Sequence, residues 1–374
     1  MNLEDVARLA GVSRSTVSRV VNGDRRVSDA ARARVQLVIK EHAYHPNASA
    51  RGLASRRTRI VGLVIPQVVI ESFDDPWFPV VIKGALGACD DADLSMMLLM
   101  DRSLDDANAT GLFGRVIHGR HLDGVVLASS TFDNPLAERL HAERFPFVLI
   151  GRSDRENWSF VDIDNRRAAA EAVSHLLGHG YRRPAMLAGP EVVIGAEDRL
   201  DGFRDAVAAA GLDGAHIPVR HLPFSQRSAY VAALDLFRAS PRPDAFFAAS
   251  DAMAIGVLQA ARALDLRVPD DVAVMGFDDI EEGRAAQLDL STVRQPASDL
   301  GSRAVAILAS MIADPARPPV HEWLPTRLVL RGSCGCGFVN ARMVESTTEG
   351  KRGEALVTQS SRVAELVAYS SPGG

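Results

Sequence analysis

The chain has 374 residues, 47% hydrophobic and 24% charged, enough to bury more than one ordinary core, and it is neither wholly disordered nor collagen-like. Its net charge of −5 argues at first sight against a nucleic-acid partner, but residues 1–59 hold twelve bases against five acids, a local +7 that leaves −12 for the remainder. Three cysteines, Cys89, Cys334 and Cys336, are too few for a disulfide framework, and no run forms an export signal or approaches the ~18 apolar residues of a membrane span, so a reducing, cytoplasmic setting without a membrane partner is expected.

In chain order, the first 45 residues predict helices over Leu3 to Ala10, Arg14 to Asn22 and Ala30 to Ala43, capped by Asn2, Ser13 and Ser28, with Gly11 and Asn22-Gly23 as stops. Two helices crossing through a short turn need a small residue at the contact, a residue tolerant of positive φ in the turn and a branched apolar clamp on the second helix. Ala7, Gly11 and Val17 meet those needs in order, the spacing of a helix-turn-helix. In that unit the second helix enters the major groove, presenting Arg14, Ser15 and Ser18 with Arg19 one turn along. Arginine can grip guanine O6 and N7 with both arms of its guanidinium. His45-Pro46-Asn47 then marks a boundary, and a polar stretch ending in Ser55-Arg56-Arg57-Thr58-Arg59 reads as a linker.

From Ile60 the pattern becomes short apolar runs alternating with helix-length segments, as in strands buried on both faces of parallel sheets: Ile60 to Ile65, Gly124 to Ala128, Phe147 to Ile150, Pro184 to Ala188, Ala245 to Ala249 and Val272 to Gly276. Their grouping about residue 165 predicts two similar α/β lobes, with ligands held where the carboxyl ends of the strands face each other. Residues 338–374 are polar and are expected to be mostly disordered, apart from a weak amphipathic stretch. Signals of catalysis are missing. His175 and His179 lie one helical turn apart without the glutamate of a zinc protease, and the two thiols of Cys334-Gly-Cys336 do not close a tetrahedral site. No catalytic residue, metal or cofactor is expected.

The run from Leu3 to Gly23, LEDVARLAGVSRSTVSRVVNG, resembles the opening of the LacI/GalR family of bacterial transcriptional regulators. The likeness continues through Tyr44-His45-Pro46-Asn47, Val161-Asp162-Ile163-Asp164-Asn165, Arg199-Leu200-Asp201-Gly202-Phe203, Gly276-Phe277-Asp278-Asp279 and Thr292-Val293-Arg294-Gln295-Pro296, and closes at Ser333-Cys334-Gly335. It implies an α/β fold in which an N-terminal, lambda-repressor-like helix-turn-helix headpiece (1–45) and a hinge helix (46–58) precede a periplasmic-binding-protein-like domain (59–337) of two doubly wound parallel-sheet lobes. The N-lobe is expected over 59–164 and 292–323, the C-lobe over 165–291 and 324–337.

The same resemblance implies a homodimer, or a tetramer, on palindromic double-stranded operator DNA, controlled by a small-molecule effector, with a carbohydrate expected. The DNA-facing set becomes Ser13, Arg14, Ser15, Thr16, Ser18, Arg19 and Asn22 in the headpiece, with Asn47, Ala50, Leu53 and Arg57 in the hinge, Leu53 acting as a minor-groove wedge. The effector set becomes Trp77, Phe78, Arg152, Asp164, Arg199, Phe224, Ser250 and Asp278, an aromatic platform with polar groups suited to a polyhydroxylated ligand. On the residues alone, Trp77 and Phe78 also fit a core, Arg199 a surface helix, and Asp279 a helix cap. Two competing classes are a sugar-binding transport receptor, which requires export, and an architectural DNA-binding protein that senses nothing.

Overall fold

In a computed structural model the protein is described over residues 1–21, 24, 26–42, 44, 57–66, 76–101, 114, 119, 121–128, 131–132, 134–281, 283 and 289–336. The expected hinge contacts Asn47, Ala50 and Leu53, Asn22 and the 338–374 tail lie outside these residues.

Three helices, α1 (Leu3–Ala10), α2 (Arg14–Val21) and α3 (Asp29–Glu41), pack around Val6, Val17 and Val35, each fully buried. A capping box starts α1: the Asn2 side chain accepts from the Glu4 and Asp5 amides, and Asp5 accepts the Asn2 amide in return. Gly11 ends it at φ +60°, the left-handed conformation the tight turn requires. Ser28, expected to cap α3, makes no side-chain cap; its carbonyl instead receives the Arg32 amide.

Beyond the linker stand two six-stranded sheets. The N-lobe sheet runs β11-β5-β4-β3-β1-β2, all parallel, from β1 (Ile60–Pro66), β2 (Ser95–Asp101), β3 (Gly124–Ala128), β4 (Phe147–Ile150), β5 (Ser159–Ile163) and β11 (His321–Leu324). The C-lobe sheet runs β12-β10-β9-β8-β6-β7, from β6 (Pro184–Ala188), β7 (Val219–His221), β8 (Ala245–Ala248), β9 (Ala273–Asp278), β10 (Ser291–Arg294) and β12 (Arg327–Val329), with β12 alone antiparallel. Alternation explains the apolar runs. On β3, Val126 and Ala128 face one core and Val125 and Leu127 the other, so both faces are covered and every residue is buried.

The chain changes lobe three times. The second crossing is later than expected: β10 pairs with β9 in the C-lobe, and the chain returns to the N-lobe only at α10 (Ala297–Ala313), which packs on α4 (Trp77–Asp91). Glycines permit the tightest helix crossings. A Cβ on Gly301 of α10 would lie 2.2 Å from the Val81 carbonyl oxygen, and one on Gly84 of α4 would lie 1.9 Å from that of Ser298. In the C-lobe, α6 (Asn165–Gly178) crosses α7 (Ile194–Ala209) at Gly202, whose added Cβ would meet the Arg166 carbonyl oxygen at 2.1 Å.

The fold also joins two pairs that lie far apart in the sequence. His175 and His179 of α6 meet Cys334 and Cys336 of the C-terminal turn, all four ligand atoms within 4.8 Å of one another.

Candidate functional site: a cleft between the lobes and an exposed helix

Strand ends from both lobes converge on an open cleft, lined by groups of both lobes where the carboxyl ends of their strands meet. Trp77 and Phe78 open α4 on its N-lobe wall, their rings edge to face with centroids 4.9 Å apart. Phe224 closes the C-lobe side; a Cβ on Gly189 would stand 2.4 Å from its ring, so glycine there makes room for the aromatic wall. Ser250 lines the floor, and its hydroxyl accepts the Met253 amide at 3.3 Å, the cap of the helix Asp251–Ala263.

Arg199 of α7 is the central polar group and is 9% exposed, not a surface residue. Its Nε donates to Asn165 Oδ1 (2.9 Å), one arm donates to the Ala249 carbonyl (2.5 Å), its plane lies 3.8 Å over the Phe277 ring, and Asp278 stands 3.9 Å away. Asp278 also accepts from Gln295 Nε2 at 2.5 Å. Both Asp278 and Asp279 hold positive φ, +122° and +61°, costly for a side-chain-bearing residue and sustained here by a buried network. Asp279 neither caps a helix nor lines the cleft: it is buried in ion pairs with Arg294 and Arg331. Behind it, Asp251 accepts from Thr292 Oγ1 (2.6 Å) and the Ile280 amide (3.0 Å), and burial pushes its carboxyl well above the usual carboxylate range.

Trp77, Phe78, Arg199, Phe224, Ser250 and Asp278 thus share one cleft, whereas two expected residues stand apart from its lining. Asp164 is exposed and caps α6 by accepting the Arg167 amide at 3.0 Å. The Arg152 guanidinium is engaged by Asp198 of α7 through two 2.7 Å bonds and by Asp154 through a third, spanning the lobes at the cleft rim. The polar groups in their place are Asp162 and Asn165. Asp162 accepts the Arg152 amide (2.6 Å), the Ile163 amide (2.7 Å) and Asn165 Nδ2 (3.2 Å), yet burial still pushes its carboxyl up to about 6. Gln295 and Gly151, the latter at φ +106° just past β4, also line the cleft and were not among the expected contacts. Asp162, Asn165 and Gln295 all fall within motifs that the sequence displays, so the signal is present but points to their neighbours.

On the headpiece, Ser13, Arg14, Ser15 and Arg19 are exposed on the first turns of α2, and Thr16 and Ser18 are half-buried. Ser13 Oγ lies 2.8 Å from Ser15 Oγ and 2.9 Å from Thr16 Oγ1 and accepts the Thr16 amide, so three hydroxyls form one cluster at the helix start. Arg14 pairs with Glu4 of α1 at 3.6 Å, both side chains over 70% exposed, a contact that water screens and a phosphate or base can displace. Arg57 donates to the Ile312 carbonyl at 2.8 Å, which places it against the N-lobe, while the Thr58 and Arg59 amides bind Asp123 at 2.7 and 2.8 Å. No helix among the described residues is long and apolar enough to cross a membrane.

Comparison with known proteins agrees with this geometry. Residues 2–47 match the profile of bacterial regulatory proteins of the lacI family, and residues 173–334 that of a periplasmic binding protein-like domain. The HTH-type transcriptional regulator CelR of Thermobifida fusca is 37% identical over 334 residues, spanning 88% of this chain and 97% of that protein. Among solved structures, a CelR–cellobiose complex superposes with a TM-score of 0.69 at 36% identity, covering 89% of this chain and 99% of that one. A lac repressor dimer bound to operator and the anti-inducer ONPF superposes with a TM-score of 0.79 at 26% identity over the same shares.

Proposed function

The chain belongs to the lacI family of bacterial regulatory proteins and is a DNA-binding transcriptional regulator, and we propose that it is a homodimeric repressor released from palindromic operator DNA when a sugar fills its cleft. The observation that carries the sugar is the lining: an aromatic pair and a facing Phe224 supply flat apolar walls, between which Arg199, Asp278, Asp162 and Asn165 offer both donors and acceptors. A pyranose needs that combination, because its ring faces are apolar and its rim is a belt of hydroxyls that each donate and accept. The relative solved with cellobiose makes a β-linked glucose disaccharide the first ligand to test.

Dimerisation is supported by the N-lobe edge. Strand β2 closes that sheet, yet Met97, Leu98 and Met100 are each about 40% exposed, an unprotected apolar edge of the kind that a second copy covers. Two headpieces related by a twofold axis read half-sites about one helical turn apart. Closure of the lobes supplies the two-state element that couples cleft to headpiece.

The test is selection of bound duplexes from a random pool, followed by titration of the selected operator complex with cellobiose, other sugars and nucleosides. A sugar that dissociates the complex and raises the unfolding midpoint is expected. Absence of any ligand response would favour the architectural alternative. Arg14→Ala separates reading from mere attraction: affinity for the selected site should fall about 10- to 100-fold, with little change on random duplex. Equal losses on both would remove Arg14 from base reading.

A further inference from the structure

Far from the cleft, the C-lobe gathers four metal-binding side chains from two segments distant in sequence. His175 and His179 lie one turn apart at the end of α6, and Cys334 and Cys336 flank Gly335 in the turn that follows β12. Gly335 has φ +97°, a left-handed turn that brings the two thiols into one cluster. His175 Nε2 and His179 Nε2 are 3.2 Å apart, and Cys336 Sγ lies 3.2 Å from the first and 3.4 Å from the second. Cys334 Sγ completes the group, within 4.8 Å of all of them.

Those spacings are informative. Zinc bond lengths of about 2.05 Å to nitrogen and about 2.3 Å to sulfur give tetrahedral edges of about 3.3 Å between two nitrogens and about 3.5 Å between nitrogen and sulfur. The edges joining the two imidazoles and Cys336 match that triangle within a few tenths of an ångström. Pairwise hydrogen bonds would join these atoms two at a time, whereas a single cation among them engages all four donor atoms at once. The donor set is two sulfurs and two imidazoles with no carboxylate, which selects a borderline-soft ion over magnesium or calcium, and four protein ligands leave no open position for chemistry.

We propose that His175, His179, Cys334 and Cys336 bind a structural Zn²⁺ that fastens the C-terminal turn to α6. In the sequence each pair stands alone and incomplete; the fold supplies the missing half. Binding exchanges thiol protons for the metal and crosslinks residues some 160 positions apart, so it stabilises the C-lobe at the end of α6 opposite the one where Asn165 lines the cleft.

The full chain, purified under reducing conditions and dialysed against metal-free buffer, should carry one zinc per chain by elemental mass spectrometry. Replacing zinc with Co²⁺ should give the visible bands of a tetrahedral site together with thiolate-to-metal charge transfer. Cys336→Ser and His179→Ala, both at half-buried positions, should each lose the metal and the bands while still folding. A strong chelator should lower the unfolding midpoint of the parent on the order of 5 °C and leave both variants unmoved. A chain that holds no zinc and gives no thiolate bands with Co²⁺ overturns the proposal, as does zinc retained at parental level in the two variants.

Discussion

Arg199 shows how much one side chain decides. It is fixed by Asn165, the Ala249 carbonyl and the face of Phe277, so a ligand in the cleft would meet it already ordered, at little entropic cost. Arg199→Lys keeps the charge but loses the planar fork and the stacking. Sugar affinity measured by calorimetry should fall about 10- to 100-fold, the worth of a charge-assisted hydrogen bond; an affinity within twofold of the parent would assign recognition elsewhere. Asp162 gives a pH signature. Its carboxyl stands at about 6 in the fold against ~3.9 unfolded, so the native state holds its proton more tightly. The contribution to stability is therefore fully present below about pH 4 and declines as pH rises towards 6. Ligand hydroxyls donate best to the carboxylate, so sugar affinity should rise from pH 5 to 7 and level off above, and Asp162→Asn should flatten that profile. An unchanged profile in the variant would show that another group titrates. At this scale the sequence is legible where a residue type has one use and opaque where position within a motif matters. In Val161-Asp162-Ile163-Asp164-Asn165 both carboxylates look equivalent, yet one lies on a strand and lines the cleft and the other caps the next helix in solvent.

Elements are legible where burial on both faces leaves a continuous apolar run. Gly124–Ala128, Phe147–Ile150 and Pro184–Ala188 stand where the runs predict strands. The strands that no run announces are short, at a sheet edge, or polar for a tertiary reason. Ser291–Arg294 is almost wholly buried, but the Ser291 amide and hydroxyl pair with Ser333 and the Arg331 carbonyl, and Thr292 donates to Asp251, partners that no local pattern reveals. Glycines on one helix pair make the point testable. Gly202 of α7 touches the α6 backbone, so Gly202→Ala must spread the crossing and should cost about 1 to 3 kcal/mol, a fall of several degrees in unfolding midpoint. Gly178, at the end of α6, would present its Cβ to open space, so Gly178→Ala should be neutral or raise the midpoint slightly. Equal effects of the two substitutions would mean that helix propensity and not close packing governs both sites.

Across the whole molecule, charge is segregated, with a +7 segment that includes the helix-turn-helix preceding a body of net charge −12. Coupling between them requires that ligand occupancy change how the lobes meet, and the structure contains a clasp at that boundary. Arg152 follows β4 of the N-lobe and Asp198 lies on α7 of the C-lobe; their paired 2.7 Å bonds cross the cleft rim beside the Asp162 carboxylate, which holds the Arg152 amide. Both side chains are largely shielded, at 29% and 14% exposed, so the pair is worth more than a surface ion pair of the same geometry. Neither lines the cleft, so substitutions there report on closure without altering ligand contacts. If the clasp favours the closed arrangement, Arg152→Ala should weaken sugar binding about 3- to 10-fold by lowering the population competent to bind. Affinity for operator without sugar should stay nearly the same, while the sugar concentration needed for release rises by the same factor, because linkage is reciprocal. Asp198→Asn should reproduce the effect, and the double variant should be no worse than either single one. Strictly additive losses would show that the two residues act independently, and would move the coupling element away from the rim.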